Sequence, residues 1–121
     1  MPEETLTLTA QSYGKWHALW THSNCEQLVC QQLAAKGFET FLPMIETWSV
    51  RSGVRTRSRI PIFSGYLFLR HAMDHASYVE ILKAKRLVRI LGSGWKHLAV
   101  IPDAEIHAIR QVVDAKLPVL P

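Results

Sequence analysis

The stretch Ile60–Arg70, "IPIFSGYLFLR", constrains the fold more than any other part of the sequence. Apolar and aromatic residues occupy both alternating sets of positions, so neither face of this extended segment suits water. It reads as a central strand, with one face against helices. Ser64-Gly65 falls in its middle, where a strand interior is weakest, and suggests a bulge or close approach beside Phe63, Tyr66 and Phe68. Such a strand needs neighbours, and the rest of the chain supplies them.

"KWHALWTH" (Lys15–His22) reads as a strand with Trp16, Ala18 and Trp20 on one face and His17 and Leu19 on the other. The following "SNCEQLVCQQLAAKGF" reads as a helix. Ser23 and Glu26 have capping-box spacing, Val29, Cys30 and Leu33 form an inward stripe, and Gly37 fits the position just past the end. "FETFLPMIETWSV" is extended but broken at Pro43, so one strand ends near Leu42 and another starts near Ile45. Arg51-Ser52-Gly53 supplies a hairpin turn, and the chain returns through "VRTRSRIP". Asp74 caps a helix running to about Lys85, with Tyr78, Ile81 and Leu82 inward. "RLVRILG" is a strand ending at Gly92. Pro102-Asp103 opens a last helix with Ile106, Ile109 and Val113 on one side.

The order β–α–β–β–β–α–β–α, with an extra hairpin in the middle, predicts an α+β fold. Its sheet is antiparallel-dominated with the helices packed on one face. This is a ferredoxin-like or RRM-like plait with an inserted basic β-hairpin. Residues 1–13 read as a flexible tail, 14–114 as the domain, and 115–121 ("KLPVLP" and the residue before it) as the start of a linker.

Chemistry is less evident. The acids are scattered, and Glu26 and Asp74 are explained as helix-start residues. Of the six histidines only His71 and His75 are close, and a metal would need a further ligand. "GSG" at Gly92–Gly94 lacks the lysine of a phosphate loop. Cys25 and Cys30 stand five apart in a helix and point different ways. No constellation supports catalysis, a metal or a cofactor. No apolar run approaches a membrane span, and the acidic, polar N-terminus lacks the features of a signal peptide, so a cytoplasmic protein is expected.

Charge points elsewhere. The net charge is +4, and Arg51, Arg55, Arg57 and Arg59 alone supply four positive charges with no acid between them. Arg55, Arg57 and Arg59, at period two, project from one side of the hairpin arm, which suits phosphates or simply a solvated face. An RNA-binding plait is one reading, since sheet-surface aromatics stack bases, although "IFSGYLFL" contains no cation. A protein-binding platform is the other. Phe63, Tyr66 and Phe68, with Trp16 and Trp20 on an adjacent strand, are the residue types that dominate interface energetics.

The series "KWHALWTHSNCEQLVCQQLAAKGFETFLP", a basic hairpin, "IPIFSGYLFLR", "RILG" and "VIPDAEIHAI" resembles the N-terminal domain of NusG-type transcription factors. "FLPMIETW" is most similar to the RfaH-like specialised paralogues. The family's "FPGY" motif stands here as "FSGY", Phe63 to Tyr66, and the family's opening Trp and first-helix Glu match Trp16 and Glu26. The resemblance implies a domain that binds the β′ clamp helices of bacterial RNA polymerase through Trp16, Phe63, Ser64, Gly65, Tyr66 and Phe68, promoting processive elongation or antitermination. It implies a second contact, to a loop of the β subunit, near Ser77, Tyr78 and Val79, although the family's His-Thr-Thr-Thr run is absent there. It places Arg51, Arg55, Arg57 and Arg59 near upstream or non-template DNA. The family normally continues into a KOW domain; these residues stop at Pro121, and a longer parent chain is the expectation.

Overall fold

The structure, a computed structural model, describes residues 14–115. The tail expected over 1–13 and nearly all of the expected linker lie outside that range. Within it, six strands and three α-helices follow one another: β1 (Lys15–Thr21), α1 (Glu26–Ala35), β2 (Glu39–Phe41), β3 (Met44–Arg51), β4 (Val54–Pro61), β5 (Tyr66–His71), α2 (His75–Leu82), β6 (Leu87–Ile90) and α3 (Asp103–Asp114). A 3-10 turn, Trp95–His97, precedes α3.

Four strands form one sheet in the order β2-β5-β1-β6, every neighbouring pair antiparallel. This is the plait order, with β5 and β1 at the centre. The hairpin β3–β4 is a separate two-stranded sheet inserted between the second and third plait strands. The α+β plait expected from the sequence is therefore present.

The two apolar faces of β1 and β5 are buried by different helices. Leu19, Leu67 and Leu69 point to Val29 and Leu33 of α1, Ile81 of α2, Ala84 and Ile90. Each such leucine contributes roughly 2–3 kcal/mol on burial. Trp16, Ala18 and Phe68, on the opposite face, pack with Ile106 of α3, and Phe41, Leu91, Ile101 and Ile109 close around them. Two helices thus cover one face and the third covers the other, whereas the sequence reading placed all three together. The apolar stripe of α3 identifies its inward side but not which side of the sheet it meets. That is settled by Ile101, whose N–H bonds the Trp16 carbonyl at 2.9 Å, fixing the chain at the sheet just before α3 starts.

Local endings are mostly as the residues dictate. Gly37 and Phe38 donate to the carbonyls of Ala34 and Leu33, the paired bonds of a Schellman ending for α1. Asp74 caps α2, its Oδ1 accepting from the Ser77 N–H at 2.7 Å. That bond holds the Asp74 carboxyl below its ordinary pKa. However, α2 stops at Leu82 rather than near Lys85, and Leu82 is exposed rather than inward. The start of α1 differs more. Its N-cap is Cys25, without a side-chain cap bond, and Ser23 and Glu26 form no capping box. Asn24 takes a left-handed φ of 61°, which delays the helix beyond Ser23 and frees the Glu26 side chain for another partner.

Candidate functional site

That partner is the loop entering β5. The run Ile62–Gly65 is a connection from β4 and not the interior of a strand, so the Ser-Gly break marks a turn between two sheets rather than a bulge within one. The Tyr66 N–H bonds the Phe63 carbonyl at 3.2 Å, closing a four-residue turn with Gly65 third at φ +85°. A β-carbon at that φ would be strained, which is why glycine stands there.

Three groups pin this turn. The Gly65 carbonyl accepts from Thr21 of β1 at 2.8 Å, and the Gly65 N–H donates to Glu26 Oε2 at 2.7 Å. Glu26 is only 4% exposed, so its carboxylate is a buried anion at the start of α1, where the helix dipole favours negative charge. Phe63 meets Phe68 edge to face at 5.9 Å between centroids.

Positive φ at the third position is the type II pattern, which favours proline second. Ser64 occupies that position. Ser64→Pro is expected to raise stability by about 0.4–1 kcal/mol by restricting the unfolded chain. A thermal melt showing a midpoint higher by a few degrees checks this; a lower midpoint would show that the backbone before Gly65 does not accept a proline.

From this turn an aromatic series runs across the sheet. Phe68 stacks tilted on Phe41 at 6.2 Å, and Phe41 meets Trp16 edge-on at 6.2 Å. Its inner end is sealed. Trp16 is 3% exposed and Phe68 7%, beneath α3, and the guanidinium groups of Arg70 and Arg110 lie 5.4 and 5.7 Å from the Trp16 ring centre. Trp16 and Phe68 are therefore core side chains, a correction to their expected place on an exposed surface. Aromatic type and strand alternation put them on the right face of the sheet, but the helix covering that face was not foreseen.

The outer end is open. Phe63 is 39% exposed, Tyr66 half-buried, and Trp20 41% exposed. Trp20 pairs directly with Tyr66 across β1 and β5, and the glycine turn lies against it: a β-carbon on Gly65 would sit 3.7 Å from the Trp20 ring. Arg89 pairs with Trp20 from β6, its guanidinium 5.9 Å from the ring centre. Phe63, Tyr66 and Trp20 thus form an exposed stripe on turn and strand. Trp20, an aromatic neighbour by strand alternation but not among the expected site residues, joins the site because the β1–β5 register, which the sequence alone does not specify, sets it beside Tyr66.

The hairpin precedes the glycine turn in the chain, β4 ending at Pro61. Its strands pair from Met44↔Pro61 to Arg51↔Val54 around a two-residue loop. Ser52 and Gly53 both have positive φ, 53° and 78°, the type I′ geometry that matches strand twist. Arg55, Arg57 and Arg59 share one face, opposite Val50, Trp48 and Glu46, while Arg51 falls on the other. The guanidinium groups of Arg55 and Arg57 lie 4.9 and 5.0 Å from the Trp48 ring centre, so the tryptophan props both up. Arg57 also faces the Glu46 carboxylate at 3.6 Å, an exposed pair. Four arginines against this one acid leave the hairpin three charges positive.

The remaining expected contact lies elsewhere. Ser77 is occupied: its N–H caps on Asp74 and its Oγ lies 2.9 Å from His71 Nε2. Tyr78 stacks on Trp95 with centroids 5.3 Å apart. No group of three His, Cys, Asp or Glu side chains able to hold a metal occurs among the described residues. No helix among them is long and apolar enough to cross a membrane.

Comparison with known proteins places this geometry. No curated protein matches the chain. Among solved structures, that of NusG from Thermotoga maritima, described as showing its domain interaction, matches with a TM-score of 0.60 at 18% identity. The match covers 84% of this chain and 58% of that one, so this chain spans little more than half the length of that relative. At that identity the likeness is one of fold. The family described as "Transcription termination factor nusG" matches residues 14–110, which takes in both central strands, the glycine turn, the hairpin and most of α3. The chain belongs to the NusG family of transcription factors.

Proposed function

We propose that this is a non-enzymatic elongation or antitermination domain that docks its exposed aromatic stripe on the β′ clamp helices of bacterial RNA polymerase. The reading includes an RfaH-like specialised role, for which "FLPMIETW" is the support, and action in the cytoplasm. The observation that carries the proposal is the open end of the aromatic series. Phe63 and Tyr66 are held at the surface by a turn with three anchors, with Trp20 paired beside Tyr66, and the positively charged hairpin leads directly into that turn along the chain. Rigid aromatic side chains lose little conformational freedom on docking and dominate protein interfaces. Ser64 and Gly65 serve this surface by shaping the turn, and Trp16 and Phe68 by supporting it from below.

The hairpin arginines face upstream or non-template DNA in this reading. They supply attraction that depends on salt and not on sequence. Ser77 and Tyr78 stand for a second contact, to a β-subunit loop, with Tyr78 the better placed because the Ser77 polar groups are already engaged. A stand-alone RNA-binding plait is the weaker reading: such modules stack bases on the open face of the sheet, and here α3 occupies that face over Trp16 and Phe68.

The test is retention on purified bacterial RNA polymerase after nuclease treatment. Retention supports a protein contact, and loss with the nucleic acid overturns it. Within the same reading, replacing Arg55, Arg57 and Arg59 together by alanine is expected to flatten the salt dependence of DNA binding. The slope should fall by about 3 if each arginine meets one phosphate. Binding to the isolated clamp helices should be nearly unchanged. Equal loss of both would show that hairpin and stripe do not divide the work.

A further inference from the structure

Between the start of α2 and the 3-10 turn lies a cleft of about 440 Å³, lined by His17, Met73, Trp95, Lys96 and Leu98. That size is within the range of small-molecule sites. Neither the aromatic stripe nor the hairpin uses it.

His17 is 5% exposed, and its Nδ1 lies 3.1 Å from the Ala99 carbonyl. A carbonyl only accepts, so Nδ1 carries the hydrogen. Nε2 is then left as a lone-pair acceptor, without a protein donor among the described residues, on a side chain that lines the cleft. Burial, with His71 and Lys15 nearby, disfavours the charged ring and lowers the His17 pKa. At neutral pH the imidazole therefore stays an acceptor.

Lys96 is exposed on the same cleft and has no ion pair among the described residues. Trp95 is braced by His75 at 5.6 Å and Tyr78 at 5.3 Å between centroids, and Met73 and Leu98 complete an apolar wall. An acceptor, an ammonium group and an aromatic wall thus line one open hollow.

We propose that this cleft binds a small aromatic acid bearing an O–H or N–H donor, the donor on His17 Nε2, the carboxylate on Lys96 and the ring against Trp95. The proposal does not rest on polymerase binding, although Tyr78, which braces Trp95, is also read above as the second polymerase contact. The probe is para-hydroxybenzoate, titrated into the labelled protein and followed by NMR at the Trp95 indole N–H and the Leu98 and Ala99 amides. Saturable shifts are expected at these groups. Benzoate lacks the donor and phenol the carboxylate, so each should bind at least about tenfold more weakly. Lys96→Met, at an exposed position that does not threaten the fold, should weaken the probe by about tenfold as well. His17→Phe should abolish the preference for para-hydroxybenzoate over benzoate. The absence of saturable shifts up to about 10 mM, or equal binding of all three compounds, would overturn the assignment.

Discussion

Glu26→Ala is expected to cost about 2–3 kcal/mol of folding stability, far more than a helix-terminal substitution usually does. The reason is local. The carboxylate is buried, and it is the side-chain partner of the Gly65 N–H at 2.7 Å. Alanine leaves that amide buried without an acceptor and removes a negative charge from the start of α1. For a domain of this length the thermal midpoint should drop by roughly 10–20 °C. Glu26→Gln keeps an oxygen that can accept the same hydrogen and should recover much of the loss. Hydrogen exchange at Gly65 supplies the decisive reading: its amide should lose protection in Glu26→Ala well before the β1–β5 ladder does. A stability within about 0.5 kcal/mol of the parent would show that the bond contributes nothing beyond what water offers.

Phe63→Ala is expected to weaken polymerase binding by about 2 kcal/mol, or roughly 30-fold, with Tyr66→Ala and Trp20→Ala following in the same range. Phe63 and Trp20 are the informative pair because both are substantially exposed. Their loss should leave the circular dichroism spectrum unchanged and lower the melting midpoint only modestly, since Phe63 also packs on Phe68 and Trp20 on Gly65, so binding measured well below both midpoints separates a docking defect from a folding one. Trp16→Ala is the contrasting control. That ring lies in the core under α3, and its removal should unfold or severely destabilise the domain. Unaltered affinity for the clamp helices in Phe63→Ala and Trp20→Ala together would remove the stripe from the interface.

The contrast between Trp16 and Trp20 also indicates what a single sequence conveys. Alternation in "KWHALWT" correctly put both tryptophans on one face of β1, and the both-sided hydrophobicity of "YLFL" correctly made β5 central. Turn chemistry at Ser52-Gly53, the Pro43 break, the Gly37 ending and the Asp74 cap were legible because each depends on a few neighbouring residues. What was not legible depends on distant ones. Exposure of Trp20 and burial of Trp16 follow from where α3 comes to rest, which period and moment leave open. Glu26 matched a capping box in spacing, but Asn24 turns the backbone before the helix starts and the carboxylate reaches a glycine 39 positions away. Even the arginine run changes meaning in three dimensions, because Glu46 and Trp48 come alongside from the partner strand.

The hairpin shares no ladder with the four-stranded sheet. Its length is therefore a free variable in a way that no plait strand's is. At about 3.4 Å per residue, its eight-residue arms extend roughly 27 Å. Inserting or removing two cross-strand pairs near its base would move the arginines outward or inward, on the same face, without breaking a bond in the body of the domain. In the reading proposed above, that makes the hairpin a telescoping part whose length sets how far its arginines reach.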